Sequence, residues 1–438
     1  MHADLSRVAC LLAFASVVVA AAGCSGVEQS VRIGLLTDCL SPFSSYEDAM
    51  LAGAELPLLE RGARLTNGKP SGGVSGARVA GREIELVRGC TAAYEFAVNV
   101  DEVRRLVELE GVDAVIGPIS DADGLVVREL ARKHPQVIFV PAWSGAQELT
   151  LRHPAANVYR FDTDEAQDVA GLGSYAYREL GWRRAAVVVD PWLGWQEEAA
   201  FVAEFCALGG NVTARFSTPI DLSNPKVGHA LDGADGVAAL VFGGLFTGPE
   251  FLPALARALG QPETQIVVGT YVLEDSNTLV PIAGLPAGVV GASSIPPANS
   301  TPAMRRHRAA FSKAFPGLPP GFAETPVVLA FHAAMEGLLR GLEAAEGDLS
   351  DGRQRLREEL ARVRFDLPSS PVRLDRNRQA VRNVYLKRIG YENGKRAFRL
   401  VRVVPDVEQT FGGLLSNAPP PGPGSQPCRK GTPPPWAR

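Results

Sequence analysis

Apolar positions from residue 31 onward fall into two alternating patterns. Short runs rich in Val, Ile and Leu, such as VRIGLLT, DAVIG and RAAVVVD, are typical of buried strands. Amphipathic stretches separate them, among them 95–110, 166–180 and 197–208. Apolar strands that alternate with helices predict parallel sheets covered on both faces. About ten such strands are too many for one compact sheet, so we expect an α/β protein with two doubly wound lobes.

The pattern changes after Gly291. Helices are predicted over 302–315, 325–345 and 353–363, and short strands follow near 372–374, 384–390 and 396–403. Asn393-Gly394, between the last two strands, predicts a hairpin turn. The tail 416–438 contains eight prolines and three cations without an acid. We expect this tail to be extended and largely disordered.

The N-terminus predicts export. A basic Arg7 precedes an apolar run over 8–22, which is shorter than the ~20 residues of a membrane span. A signal peptide is therefore favoured over an anchor helix. Ala-Ala-Gly-Cys resembles the bacterial lipobox, which implies a signal peptide over 1–23, acyl chains on Cys24 and a tether over 24–30. Conventional cleavage near Ala22 is the alternative.

Four further cysteines would lie in an oxidising compartment, where disulfides persist. They allow three pairings. Cys39 and Cys90 each follow a predicted strand, and parallel neighbouring strands would bring both to one sheet edge, so this pair is preferred. By elimination, Cys206 would pair with Cys428. Their spacing is not that of a metal site.

Composition and motifs narrow the function classes. Hydrophobic residues make up 46% and charged residues 21%, as in globular proteins, and the net charge of −4 provides no basic field for nucleic acid. The sequence contains no phosphate loop, nucleophile elbow, HExxH zinc pair or dinucleotide fingerprint after its first strand. Its six histidines have no metal-ligand spacing. We therefore expect no enzyme, no metal and no cofactor.

Ligands of open α/β sheets bind beyond the carboxyl ends of the strands, against helix N-termini. The loop after the first strand carries Tyr46, which offers an aromatic face and a hydroxyl. The loop after the third carries Ser120, which would hold a carboxylate or act as a plain helix cap. The neighbouring Asp121 would compete with an anionic ligand.

The loop FVPAWSGAQELT follows the fourth buried strand. It offers the backbone of Ala142, the hydroxyl of Ser144 and the aromatic wall of Trp143. A tryptophan among small residues is hard to explain as core, so we expect this loop to contact a ligand.

Several of these segments match a known class in order and spacing. VRIGLLT, VAGREIELV, GVDAVIGPISDADGL, VPAWSGAQELT, AAVVVD and VRLDRNRQAV together resemble the leucine/isoleucine/valine-binding class of type I periplasmic solute-binding proteins, over roughly 31–405. The resemblance implies two α/β lobes that are joined by three crossovers and close on a ligand. It implies lobe 1 over 31–158 and 286–365 and lobe 2 over 159–285 and 366–415. The first-loop disulfide of this class is consistent with Cys39–Cys90.

The resemblance also implies ligand contacts. The ligand positions of lobe 1 fall on Tyr46, Ser120, Ala142 and Ser144. In lobe 2, an aromatic position falls near Trp192, where the usual Tyr-Gly is Trp-Leu-Gly.

The acid that commonly binds the ligand's ammonium is replaced by Thr270-Tyr271-Val272. Either Glu274, Asp275 or Asp121 supplies the counter-charge, or the ligand has no ammonium.

These observations lead to one hypothesis. The protein would be an extracytoplasmic lipoprotein that captures an amino acid or a similar small polar solute and delivers it to an ABC permease. It would contact the membrane only through its lipid. Lobe 1 would fix the polar end of the ligand, and Trp192 and Tyr271 would cover it on closure. The alternatives are a ligand-sensing module of a signalling system and an exported α/β hydrolase.

Overall fold

The structure, a computed structural model, describes residues 30–93, 95–152, 154–191, 194–240, 251–260, 262–269, 287–297, 300–392, 394–416 and 422–438. The predicted signal peptide with Cys24 lies outside the described residues, and so do Trp192 and Tyr271. Among the helices within the described ranges, none has both the length and the apolar character that a membrane crossing requires.

Strands and helices alternate through most of the described chain. The strands are β1 (Val31–Asp38), β2 (Arg64–Leu65), β3 (Val74–Ser75), β4 (Arg78–Val79), β5 (Arg82–Thr91), β6 (Ala114–Ile116), β7 (Ile138–Val140), β8 (Arg184–Val189), β9 (Asn211–Ser217), β10 (Gly236–Leu240), β11 (Ile266–Val268), β12 (Val290–Ser293), β13 (Arg364–Asp366), β14 (Pro371–Leu374), β15 (Ala380–Glu392) and β16 (Lys395–Val407). The helices are α1 (Glu47–Glu60), α2 (Phe96–Arg104), α3 (Asp121–Lys133), α4 (Glu165–Asp168), α5 (Leu172–Arg178), α6 (Trp195–Ala207), α7 (Pro225–Leu231), α8 (Phe251–Leu259), α9 (Pro302–Ala314), α10 (Pro326–Ala344) and α11 (Ser350–Leu360).

The five-stranded sheet forms lobe 1. Its strand order is β4-β5-β1-β6-β7, and all neighbours except β4 and β5 run parallel. Helices α1, α9, α10 and α11 bury their apolar side chains in one cluster with residues of β1. On the other face, α2 and α3 pack through Val103, Val127 and Leu130. The apolar strands are thus buried on both faces, as the sequence predicts.

The larger sheet forms lobe 2. Its order is β13-β14-β15-β12-β11-β10-β8-β9, with β16 also paired to β15. The strands from β8 to β12 are parallel, whereas β13 to β16 are antiparallel. Phe201 and Phe205 of α6 lie in the core on one face, and Leu255 of α8 lies in the core on the other. The predicted α/β class with two doubly wound lobes is confirmed.

A glycine divides one predicted helix. The stretch 166–180 forms two short helices, α4 and α5, because Gly171 between them has a φ of +91°. A Cβ at Gly171 would also lie 2.6 Å from Cγ2 of Val404, so the close approach of β16 requires glycine.

The chain crosses between the lobes near three places. Val158 pairs with Phe139 of lobe 1, and Arg160, two residues later, pairs with Gln379 beside β15. A second crossing lies between β12 and α9, and a third lies between α11 and β13. The predicted start of the second lobe 1 segment at 286 is wrong, because β12 pairs with β11 and β15 in the larger sheet. An apolar run identifies a strand but not the sheet that it joins.

Two disulfides join distant parts of the chain. Cys39 is bonded to Cys90 with their Cα atoms 5.5 Å apart, and Cys206 of α6 is bonded to Cys428 with a Cα separation of 5.2 Å. The second bond fixes the C-terminal tail to lobe 2, where the Trp436 ring packs edge-on against Phe411, with centroids 5.1 Å apart. The expectation of a largely disordered tail is therefore wrong for 422–438. The composition of the tail does not indicate the disulfide bond or this aromatic contact.

Candidate functional site

The carboxyl ends of the parallel strands place the predicted residues of lobe 1. β6 leads to Ser120, β7 leads to the loop with Ala142, Trp143 and Ser144, and β1 leads to a 3-10 turn that ends at Tyr46. Trp192 and Tyr271 lie outside the described residues, so the predicted cover from lobe 2 stays a prediction.

Ser120 is the N-cap of α3. Its Oγ accepts a hydrogen bond of 3.2 Å from the backbone N–H of Asp123 and donates to the Asp123 carboxylate. The residue is only 7% exposed. In this conformation its hydroxyl serves the helix, which is the capping alternative considered from the sequence.

The loop after β7 is packed between α3 and the second lobe. Ala142 is buried in the lobe 1 core, and the half-buried Trp143 meets Phe43 edge-on with ring centroids 6.4 Å apart. Ser144 is buried, and its Oγ has no hydrogen-bond partner among the described residues. A Cβ at Gly124 of α3 would lie 2.1 Å from this Oγ, so glycine is needed there for the loop to approach the helix.

A small chamber of about 20 Å³ lies between the lobes. Trp143 and Ser144 contribute to its wall, whereas Tyr46, Ser120 and Ala142 do not. The other lining residues are Gly145, Asp162, Thr163, Glu165, Asp168, Ser294, Ile295, Pro326, Leu329 and Arg382. This volume holds roughly one water molecule, so the lobes must separate before a larger solute enters.

Lobe 2 and its crossovers give the chamber an acidic wall. Three carboxylates line this wall, those of Asp162, Glu165 and Asp168. The carboxylate of Asp162 forms an ion pair with Arg382. Asp168 accepts a hydrogen bond of 2.7 Å from the Thr163 hydroxyl, and burial together with the nearby Asp162 raises the pKa of Asp168 to about 6. Glu165 is buried beside them. The chamber therefore offers negative charge to a cationic group of a ligand.

A buried arginine shapes the loop around the chamber. The guanidinium of Arg160 donates to the carbonyls of Ser144 at 2.8 Å and Ala146 at 2.7 Å, and also to Thr150 Oγ1 at 2.9 Å. Asp164 lies 3.7 Å from it, and burial raises the pKa of Asp164 to about 7. Arg160 thus holds the Trp143–Ser144 loop in place.

Gln196 of α6 joins the two lobes. Its Oε1 accepts from the backbone N–H of Gln147 at 2.5 Å, and its Nε2 donates to Oδ2 of Asp121 at 3.0 Å. The other Asp121 oxygen accepts from the Gly145 N–H at 2.7 Å. Burial raises the pKa of Asp121, while the bond from Gln196 opposes that shift. The lobes are therefore in direct polar contact.

The sequence singled out neither Arg160 nor Gln196. Arg160 lies in the segment VYRF and Glu165 lies in DEAQ, and no role was predicted for either residue. Asp121 was considered as a competitor for an anion or as a counter-charge for an ammonium, whereas the structure pairs it with Gln196.

Solved structures with the same fold include three from different bacteria. They are an ABC transporter substrate-binding protein from Sphaerobacter thermophilus (22% identity, TM-score 0.74, covering 87% of this chain and 99% of that chain), a solute-binding protein from Rhodopseudomonas palustris HaA2 in complex with p-hydroxybenzoic acid (18%, 0.71, 87% and 98%) and a leucine-binding protein from Thermotoga maritima (20%, 0.64, 86% and 99%). These likenesses show the fold.

The family assignment comes from the sequence. No curated protein matches the chain. The profile of the family described as periplasmic binding protein matches residues 30–395, which is most of the chain and takes in both lobes and the chamber between them. The chain therefore belongs to the periplasmic binding protein family.

Proposed function

We propose that this protein is the extracytoplasmic solute-binding component of an ABC transporter. It would trap an amino acid or a similar small polar solute between its lobes and deliver that solute to the permease. The observation that carries the proposal is the chamber between two doubly wound lobes, which are joined by the hydrogen bond between Asp121 and Gln196.

The chamber wall supports an amino-acid-like ligand. Glu165 and Asp168 would face an ammonium, and Trp143, Pro326 and Leu329 would pack against an apolar side chain. One similar solved structure is a complex with isoleucine, and others are complexes with hydroxybenzoic acids or benzoate. Amino acids carry an ammonium and benzoates do not, so the two ligand classes can be separated by experiment.

Thermal-shift titration of the mature chain tests the function. A solute that binds the folded protein raises its melting temperature by mass action. We expect an amino acid to raise it through the chamber, and this shift should shrink in Trp143→Ala. Benzoate has no ammonium for the chamber's carboxylates to bind, so any shift that it causes should persist in Trp143→Ala. Tyr391→Ala, on the exposed hairpin of lobe 2, is the matched aromatic control. If no amino acid shifts the midpoint, or if Trp143→Ala responds to the amino acid like the wild type, the proposed site is wrong.

The lipid anchor at Cys24 is part of the same proposal. Stable anchoring needs more than one acyl chain, because each buried methylene contributes only about 0.8 kcal/mol. In the native host, the protein should sediment with membranes, and Cys24→Ser should release it. If the wild type and Cys24→Ser both sediment with the membranes, or if both are released, the proposed lipid anchor is wrong.

A further inference from the structure

A second concavity lies outside the interlobe chamber, on the antiparallel part of the larger sheet. It is a groove of about 630 Å³, within the range of roughly 300–1,000 Å³ typical of small-molecule sites. We call it the hinge groove. It is lined by Arg364, Phe365, Asp366, Pro371, Val372, Arg373, Val381, Asn383, Pro405 and Asp406.

Two arginines face each other across neighbouring strands in this groove. In the sheet register, Arg364 of β13 lies opposite Arg373 of β14, and Arg373 lies opposite Val381 of β15. Residues opposite each other project from the same face of a sheet, and like charges in such pairs are destabilising. An anion between the two guanidinium groups would remove that repulsion.

The two arginines lack strong acidic partners. Among the described residues, Arg364 has no ion pair, and Arg373 has only Asp406 at 3.7 Å. The Asp406 side chain is 76% exposed, so solvent screens this pair. The other acid of the groove, Asp366, is exposed and lies opposite Pro371 rather than opposite an arginine.

The charge of the surrounding segment also favours an anion. Residues 353–382 contain nine arginines and four acids, in a chain whose net charge is −4. The buried Val381 belongs to the floor of the groove, and Pro371 and Pro405 extend its apolar lining. These features suit a small molecule with an apolar body and one negatively charged end.

The groove and the chamber lie on opposite faces of one strand. Val381 and Asn383 of β15 line the groove, whereas Arg382 between them lines the chamber and pairs with Asp162. Side chains alternate between the faces of a strand, so the two sites are separate.

We propose that the hinge groove is a second ligand site, which binds a small carboxylic acid with an apolar body through Arg364 and Arg373. The carboxylate lies between the two guanidinium groups, and the hydrocarbon part packs on Val381 and the prolines. This site is additional to the proposed solute site between the lobes.

Titration calorimetry with hexanoate and with hexanamide tests the proposal. The two probes share an apolar chain, but only hexanoate is charged, so hexanoate should bind the mature wild-type chain and hexanamide should not. Binding should weaken at least tenfold in Arg364→Gln and in Arg373→Gln. It should be unchanged in Arg355→Gln, an exposed arginine that pairs with Glu346 at 3.0 Å. Thermal melting of each variant verifies that it is folded.

The chamber variant Trp143→Ala separates the two sites. Hexanoate binding that survives in Trp143→Ala and is lost in the arginine variants supports the hinge groove, whatever solute the chamber takes. Binding that is lost in Trp143→Ala and kept in the arginine variants belongs to the chamber and overturns the proposal. Equal binding of hexanoate and hexanamide, or no binding of hexanoate, also overturns it.

Discussion

Asp121 at the start of α3 and Gln196 at the start of α6 connect the two lobes through a hydrogen bond of 3.0 Å between Oδ2 and Nε2. Gln196 also accepts a hydrogen bond from the backbone N–H of Gln147. One side chain of lobe 2 thus contacts two loops of lobe 1. The closed conformation therefore has polar contacts of its own, apart from any contact with a solute.

Removing the side chain of Gln196 should open the ligand-free protein. A hydrogen bond to a charged group contributes about 1.5–3 kcal/mol, so Gln196→Ala should shift the population toward the open form. Small-angle X-ray scattering should show a larger radius of gyration, and affinity for the transported solute should fall by roughly tenfold or more. Gln354→Ala, whose amide donates to Glu358 on the lobe 1 surface, should change neither quantity. An unchanged radius in Gln196→Ala would show that this contact does not hold the lobes together.

The approach of the Ser144 loop to α3 should depend on Gly124. In Gly124→Ala, the new methyl group would lie 2.1 Å from Ser144 Oγ and displace the loop, at a cost of about 1–3 kcal/mol. Chemical denaturation measures this loss. Gly228→Ala in α7, where a Cβ meets nothing within 4 Å, should be neutral or slightly stabilising. Ser144→Ala in the Gly124→Ala background should recover part of the stability, and full additivity of the two changes would argue against the clash.

The tail should stabilise lobe 2. Replacing Cys206 by Ala and Cys428 by Ser together removes a bond that spans 222 residues, and we expect a loss of about 2–4 kcal/mol in the free energy of unfolding. Trp436→Ala should give a smaller loss, because the ring packs on Phe411. Denaturation of the oxidised protein measures both, with Arg429→Ala in the same tail as the control. Stability equal to the wild type in the double cysteine variant would show that the disulfide bond to the tail does not stabilise lobe 2.

Acid should destabilise lobe 1 through His307. Burial lowers the pKa of His307 from its ordinary 6.5 to about 4, and its Nε2 lies 2.9 Å from the carbonyl of Ala323. Between these two pH values the unfolded chain binds a proton that the native chain excludes. The free energy of unfolding should therefore fall as the pH decreases from about 6.5 to about 4, by about 3 kcal/mol in total. His332, with its ring centroid 5.0 Å away, is held neutral by the same burial and by His307.

The variant His307→Phe isolates this contribution. Carboxyl groups whose pKa is raised by burial, such as Glu55 with a pKa of about 8, make the folded protein more stable as the pH falls. The free energy of unfolding of the wild type and of His307→Phe must therefore be compared at each pH. The stability difference between wild type and His307→Phe should narrow toward pH 4. His229→Phe, at a histidine that is 83% exposed, should leave the slope unchanged. A pH-independent difference for His307→Phe would contradict the assignment.

Local patterns determined how far the fold could be predicted. Val31–Asp38, Arg184–Val189 and Pro326–Ala344 were visible in the sequence because each carries its own apolar period. The pairing of Cys39 with Cys90 was predicted because both cysteines fall at the carboxyl ends of strands that lie side by side. The sheet to which Val290–Ser293 belongs was not predicted correctly, since strand pairing depends on which strands lie nearby in space.

The candidate site was less predictable for the same reason. Trp143 and Ser144 were predicted as ligand contacts from their strand-end loop, and both line the chamber, while their contact with a ligand stays a prediction. Arg160 and Gln196 act on groups that are distant in the sequence or in another lobe, such as Gln379 at 219 positions from Arg160. Neither residue type nor spacing marks such a contact in advance.

The bond between Cys206 and Cys428 has a consequence for chain completion. Chains are synthesised from the N-terminus, so another 222 residues must be added after Cys206 before its partner emerges. Trp436, which covers Phe411, arrives later still. A product that stops short of residue 428 would keep an unpaired thiol and an uncovered aromatic surface on lobe 2. The segment from Cys428 to Trp436 thus distinguishes chains that contain it from shorter products, which proteases and chaperones would recognise by that exposed surface.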